Sequence, residues 1–414
     1  MKNPSESNAP AAEDARRKIL ILSADAGFGH KAAANAIAAG FRARFLDRCE
    51  VSIVNPLDHP KAPALLVSAQ DDYDRMIQQS PYLYRAGYEA SDGAVPAGIA
   101  EQALTLMLYT VLRDILSQRE PDAVITTYPL YQAPLAALRG LSRRGAPFLT
   151  VVTDLATVHR LWFHENAEYC LVPTQAVAEK ALESGVPPER IEITGLPVNP
   201  ALGQPVDKAA LRAKLGWSNE RTIALFTGSK RVKKLEPIAQ VLNHSALPLE
   251  LAIVTGGDEH LRKRFEQNEW HLPAHVYGYV DNMPEMMQAA DFIVCKAGGL
   301  IVSESLAAGL PLLLAEALPG QETGNADYVI QGGAGLLVTD PTEALAQVFH
   351  WLDKGGAELE VAAAQARALG RPDAAIRVAE RGLEVAINGP RPVSRGLGAQ
   401  LPRLRELLGL TGEA

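Results

Sequence analysis

Apolar residues come along this chain in short continuous runs, not in alternation. Lys18–Ser23 (KILILS), Val51–Asn55, Asp122–Thr127, Phe148–Thr153, Tyr169–Pro173 and Ile191–Thr194 make one series. Arg221–Thr227, Leu249–Thr255, Val276–Val280, Phe292–Cys295, Leu312–Ala315 and Gly332–Val338 make a second. Runs this short, rich in Val, Ile and Leu, fit strands buried on both faces, as in parallel sheets. Between them the spacing turns helical. Lys31–Leu46 is alanine-rich, and Ala100–Gln118 carries Leu104, Leu108, Val111, Leu112 and Ile115 on one face. Gln175–Ser184, Pro341–Leu352 and Arg371–Ile387 also read as helices. Right-handed crossover makes each strand–helix–strand unit parallel. The pattern predicts two open α/β domains, 18–198 and 199–370, and a helix at 371–390 returning to the first. Residues 1–17 read as a disordered leader and 391–414 as a tail. GLPVNP (Gly195–Pro200) marks an extended hinge, its prolines pinning the connection.

One unit, Asp291–Asn325 (DFIVCKAGGLIVSESLAAGLPLLLAEALPGQETGN), carries the densest chemistry. Its strand breaks at Lys296–Gly299, and from Leu300 the spacing puts Ile301, Leu306 and Leu310 near one helix face, with Ser303, Glu304 and Ser305 between them. A helix reached through Gly298-Gly299 presents unpaired backbone N–H groups and the positive end of its dipole, which suits phosphate. Glycine also lets a ligand approach where a Cβ would block it. Glu304, in the first turns, is placed to accept hydrogen bonds from a ribose. On spacing alone, an ordinary α/β connection with a solvated Glu304 fits equally well.

A second glycine turn, ADAGFGH (Ala24–His30), opens the helix Lys31–Leu46. It puts His30 beside Gly29 at a helix N-terminus and at the carboxyl end of a strand, where open α/β sheets bind ligands. The dipole favours a neutral imidazole there, which suits a general base. A surface histidine capping a turn is the alternative.

Composition narrows the class. Hydrophobic residues make up 47% and the formal charge is −8, so the chain is globular and lacks the basic field that nucleic acid needs. Cys49, Cys170 and Cys295 are widely spaced, which argues against a disulfide framework or a zinc site. No apolar run approaches the ~20 residues of a spanning helix, and the polar N-terminus lacks a signal's apolar core. Aromatic residues offer another route to a membrane: Tyr82, Tyr84 and Tyr88, and the Trp162–Phe163 pair between His159 and His164. Such rings anchor at headgroup depth or pack in a core, and the residues alone leave both open.

KAGGLIVSESLAAGLP followed by PGQETGN resembles the nucleotide-sugar motif of the GT-B glycosyltransferases related to the peptidoglycan GlcNAc transferase. Within that group it is most similar to the monogalactosyldiacylglycerol synthases and bacterial diacylglycerol glucosyltransferases. SADAGFGHKAAANAI resembles the N-terminal motif of the same family, with Phe28 where a third glycine is common. TVVTDLATVHRLWFH (Thr150–His164) resembles its Thr-Asp-Leu-x-Thr-x-His-x-x-Trp-Phe segment.

The resemblance covers roughly residues 18–385 and implies two Rossmann-like domains facing a cleft. It implies a UDP-sugar donor, UDP-galactose or UDP-glucose, on the second domain. Glu304 would hold the ribose, while Gln321, Glu322 and Asn325 would hold the sugar or its phosphates. Gly298, Gly299 and Leu300 would meet the diphosphate, and backbone near Val280 the uracil. Gly228-Ser229 stands where relatives carry a glycine run, with Lys230 next to it. The family usually has an arginine where Asn199 stands, and the cations of Lys230–Lys234 are expected to offset its absence. On the acceptor side the resemblance implies His30 as base, with Asp154 in reserve, and a lip of His159, Trp162 and Phe163 toward the lipid. The implied activity is inverting transfer of a hexose to diacylglycerol at the cytoplasmic face of the cell membrane, with no metal or cofactor required. A soluble or polyprenyl-linked acceptor, a sugar-nucleotide epimerase of the same fold and a UDP-sugar-binding protein without catalysis are the alternatives.

Overall fold

Strands apolar at every position need cover on both faces, and parallel pairing through crossover helices supplies it. The structure is a computed structural model that describes residues 16–25, 28–68, 92, 94–141, 145–228, 232–320 and 322–392. The first sheet takes β1 (Arg17–Leu22), β2 (Cys49–Val54), β3 (Ala123–Thr126), β4 (Phe148–Val151), β5 (Tyr169–Val172) and β6 (Ile191–Ile193), in the order β2-β1-β3-β4-β5-β6. The second takes β7 (Thr222–Thr227), β8 (Leu249–Val254), β9 (Ala274–Tyr277), β10 (Phe292–Lys296), β11 (Leu312–Glu316) and β12 (Gly335–Leu337), in the order β12-β11-β10-β7-β8-β9. Every pairing in both sheets is parallel. This is the two-domain GT-B architecture.

Helices α1 (Phe28–Phe45), α2 (Ala94–Arg119), α3 (Gln132–Leu141) and α4 (Gln175–Glu183) belong to the first half. The second carries α5 (Lys208–Leu215), α6 (Leu235–Asn243), α7 (Glu259–Gln267), α8 (Met283–Ala289), α9 (Gly299–Ala307), α10 (Thr323–Gln331), α11 (Pro341–Leu352) and α12 (Ala357–Leu369). The chain then returns to the first half as α13 (Ala374–Asn388), packed on α1, β1 and β3. It begins at Ala374 and not at Arg371, because Arg371–Ala374 close a turn (Ala374 N–H to Arg371 C=O, 3.1 Å). Among the described residues no helix is long and apolar enough to cross a membrane.

Strand order reverses once in each sheet, between β1 and β3 and between β7 and β10. Open α/β sheets bind ligands outside the strand carboxyl ends at that point. β1 leads into α1 and β10 into α9, so both glycine turns stand at switch points. The two helices also touch each other across the halves.

α13 is part of the first core. Val378, Ala379 and Leu383 pack with Ile37 and Phe41 of α1 over Ile19, Ile21 and Ile125. Arg377 and Arg381 both reach Glu192, and Tyr169 donates to Glu384. Beyond the helix, the Arg391 N–H donates to Glu168, which lies 2.6 Å from buried Arg139. The α1–α13 crossing depends on small residues: a Cβ on Gly40 would lie 2.6 Å from the Ala375 carbonyl oxygen. Gly40→Ala is therefore expected to lower the unfolding free energy by about 1–3 kcal/mol, the usual cost of overpacking. Gly98→Ala on α2, where a Cβ meets nothing within 4 Å, should be neutral or stabilising by up to ~1 kcal/mol. Urea unfolding of the two variants checks both.

Candidate active site

β1 ends at Leu22, and α1 brings His30 back over the strand ends in its first turn. The His30 Nδ1 lies 2.7 Å from Thr153 Oγ1, and the His30 carbonyl accepts from Thr127 Oγ1 at 3.2 Å, just past β3. Tyr128 meets the imidazole edge-on at 5.0 Å. Burial lowers the His30 pKa, and the nearby Asp154 charge raises it without overcoming that effect. The net shift is below 6.5, so the ring is neutral at neutral pH. In the tautomer with Nδ1–H donating to Thr153, Nε2 carries the lone pair that a base needs. Gly29 faces open space, with nothing within 4 Å of where a Cβ would stand.

Trp162 and Phe163 form no lip. Trp162 is 0% exposed and Phe163 4%, both packed with Val152, Val158, Cys170 and Val172. The cause is a 3-10 turn at Arg160–Trp162 that rotates the indole inward, where its N–H donates to Asp154 Oδ2 at 2.7 Å. His159 is buried as well, its Nδ1 capping that turn by accepting from the Leu161 N–H. These three side chains support Asp154 and its surroundings and do not face lipid.

On the other half, α9 starts at Gly299 behind Gly298, with no side chain capping its first N–H groups. The first-turn N–H of Leu300 is among the donors this leaves. Ser303 and Ser305 are buried. Each hydroxyl bonds back to the carbonyl four residues earlier, Gly299 and Ile301. This satisfies the polar atom inside the core. Glu304 is half-buried, and among the described residues its carboxylate has no hydrogen-bond partner. Burial pushes its pKa up to about 7.

Glu322 is buried and engaged. Its Oε1 lies 2.5 Å from Lys296 Nζ, and its Oε2 accepts from the Leu318 N–H at 3.1 Å. A register irregularity after Cys295 displaces Lys296 toward this partner. Lys296 went unremarked in the sequence beyond ending a strand. Its position one residue before the Ala-Gly-Gly turn, at a strand's carboxyl end, was the available signal. Asn325 Nδ2 donates to the Ala297 carbonyl at 2.9 Å, while its buried Oδ1 has no partner among the described residues.

Gly228 is required by packing, since a Cβ there would come within 2.8 Å of Leu235 and Leu261. Val280 is half-buried in the turn between β9 and α8. Asn199 caps a 3-10 turn through the Ala201 N–H, and Lys234 Nζ reaches the Val338 carbonyl at 3.4 Å. Ser229, Lys230, Gln321, Tyr82 and Tyr84 lie outside the described residues.

The two sides meet through the turn that follows Asp154. A Cβ on Gly299 would sit 3.5 Å from Leu155 Cβ, and one on Gly324 2.9 Å from Thr157 Oγ1. His30 and Asp154 thus stand beside the turn that meets the start of α9, the helix that carries Glu304.

Residues 30–198 match the Monogalactosyldiacylglycerol (MGDG) synthase family model. Residues 222–378 match the Glycosyltransferase family 28 C-terminal domain. A probable monogalactosyldiacylglycerol synthase 2 of Oryza sativa subsp. japonica is 32% identical over 374 residues, covering 87% of this chain and 79% of the relative. The chain belongs to the monogalactosyldiacylglycerol synthase family. Monogalactosyldiacylglycerol synthase 1 of Arabidopsis thaliana is likewise 32% identical, over 88% of this chain and 70% of its own length. Among solved structures, MurG of Acinetobacter baumannii superposes with a TM-score of 0.57 at 17% identity, over 89% of this chain and 100% of that one. HepE of Anabaena, in complex with UDP-glucose, gives 0.52 at 16%, over 90% and 99%. A putative UDP-N-acetylglucosamine 2-epimerase from Listeria monocytogenes also gives 0.57 at 16%, over 90% and 97%, so the fold is shared by more than one chemistry.

For this member of the synthase family, Lys296→Met should strand the buried Glu322 charge. A loss of about 3 kcal/mol is expected in urea unfolding, in the range for breaking one side of a buried pair. The double variant Lys296→Met/Glu322→Leu should recover much of that loss.

Proposed function

We propose that this glycosyltransferase moves galactose from UDP-galactose to diacylglycerol with inversion. The observation that carries the reading is the neutral His30, fixed by Thr153 and flanked by Asp154, on the far side of the junction from α9, whose N-terminus no side chain caps and whose Glu304 has no hydrogen-bond partner among the described residues. Relatives whose names say that they synthesise monogalactosyldiacylglycerol favour galactose and a diacylglycerol acceptor.

The chemistry follows from the charges. His30 takes the proton of the acceptor hydroxyl as its oxygen attacks the anomeric carbon. The new C–O bond forms on the face opposite the diphosphate, whose bond to that carbon breaks as UDP leaves. Charge growing on the leaving diphosphate is met by the α9 N–H groups and the Lys296 ammonium. Glu304 accepts from the ribose hydroxyls. No metal is needed if these groups carry that charge, so turnover in EDTA should match the untreated enzyme. On this reading the reaction takes place at the cytoplasmic face of a membrane, with the protein bound peripherally. With Trp162 in the core, Leu65 and Ile99 (71% and 66%) are the most exposed large apolar residues of the first half among the described residues, and they favour such contact.

The decisive test is incubation with diacylglycerol liposomes and a panel of UDP-sugars, read by the mass of the lipid product. A hexosyl-diacylglycerol formed best from UDP-galactose is expected; UDP release with unchanged lipid would overturn the proposal. His30→Ala should lower turnover by about two orders of magnitude or more while UDP affinity stays near wild type. Equal loss of both would remove the base role.

Glu304 adds a pH signature. Its free-enzyme pKa is near 7, and ribose hydroxyls donating to the ionised form lower it, so binding releases a proton. Affinity for UDP-galactose is then full above pH 7 and is lost as pH falls through that value, by roughly threefold to tenfold at pH 6. Calorimetry at pH 6 and 8 measures it, and Glu304→Gln should flatten the profile.

A further inference from the structure

Asp154 owes its position to a residue that never meets solvent. Thr153 and Asp154 leave β4 together, and Thr153 holds the His30 ring at 2.7 Å. The neighbouring carboxylate is gripped by Trp162, eight residues on, whose N–H donates to Oδ2 at 2.7 Å. The indole is 0% exposed, and its ring lies 5.9 Å from that of His30 at an angle of 46°. The turn that carries it is braced twice: His159 Nδ1 accepts from the Leu161 N–H at 3.1 Å, and the Arg160 N–H donates to Asp92 at 2.5 Å. An indole offers one donor and no acceptor, so it can fix a carboxylate but cannot take a proton from it. A hydrogen bond to a charged acceptor is also about twice as strong as a neutral one.

We infer that Trp162 is a positioning residue of the acceptor-side machinery. It locks the Asp154 carboxylate in one orientation beside His30, so that the charge supporting the imidazolium formed on proton transfer is in place before the acceptor arrives. A phenylalanine would fill the same core and remove that donor from the carboxylate. The inference rests on the reading of His30 as the base, and it assigns to Trp162 a role other than contact with lipid.

The test replaces Trp162 with β-(3-benzothienyl)alanine, which keeps the bicyclic shape and puts sulfur where the N–H stood. Turnover of UDP-galactose on diacylglycerol liposomes should fall about 10–100-fold, the usual loss for an outer supporting partner. KM for UDP-galactose should stay unchanged, and Tm should fall only by the few degrees that the loss of one hydrogen bond costs. In an Asp154→Asn background the same replacement should cost less than about twofold, because residues acting through one another are non-additive. Unchanged turnover, or equal loss in both backgrounds, overturns the inference.

A second readout does not depend on the acceptor. With 15N-indole labelling the 4 tryptophans give separate N–H signals, and the one missing in the analogue is Trp162. That signal should move upfield in Asp154→Asn; a fixed signal overturns the contact itself. If the signal moves but wild-type enzyme transfers no hexose, the base reading fails and the contact is structural only.

Discussion

One bare Cα lets the halves of this molecule approach as closely as they do. At Gly324 a Cβ would press on Ala156 and Thr157, while Gly299 stands in ordinary van der Waals reach of Leu155, all on the turn directly after Asp154. The acceptor-side carboxylate is therefore one peptide unit away from the surface that contacts the N-termini of α9 and α10. Any displacement of that turn moves Asp154 with it, and through Thr153 it disturbs the hold on His30. Glycine in this motif thus serves interdomain contact at least as much as the approach of a phosphate. Gly195 belongs to the same join, because its φ of +90° and its contact with Arg371 both exclude a side chain.

The charges around that junction are set by burial more than by pairing. His30 is kept neutral because desolvation outweighs the attraction of Asp154, and Glu304 is brought near neutrality by desolvation alone. Burial therefore keeps the His30 imidazole neutral and brings the Glu304 carboxyl up to about 7. Glu322 lies in the same half and behaves differently, since Lys296 and the Leu318 N–H already satisfy it. It shapes the loop in front of α10, and Lys296 stays in position at the end of β10 beneath Gly298. Under the proposed function, one half would offer a base supported by an anion, and the other an anion-binding helix end supported by a cation.

The architecture was legible because parallel strands leave an unmistakable trace of unbroken apolar runs, and because glycine turns mark where helices leave them. His30, Glu304 and the Gly298-Gly299 turn could be placed for that reason. Side-chain direction in irregular segments was not legible. Trp162 follows no helical or strand period; a three-residue 3-10 turn decides that its indole points to Asp154, and nothing in the spacing announces that turn. The burial of Ser303 and Ser305 was not legible for a related reason, since a hydroxyl bonded to its own helix four residues back is polar in sequence and apolar in packing. The Lys296–Glu322 pair spans 26 residues, so only the folded βαβ unit brings it together.

Burial of the Trp-Phe pair also changes where an acceptor lipid can approach. A net charge of −8 provides no general attraction to an anionic bilayer, so the membrane contact of the proposed function would need local apolar surface. In the first half, Ile99 and Leu106 are seven residues apart on α2 and therefore share a face, and both are exposed, as is Leu65. The opposite face of α2, with Leu104, Leu108 and Leu112, is committed to the core that also takes Leu22 and Tyr131 at the strand ends. One helix thus has an apolar outer edge and an inner face continuous with the packing beneath His30.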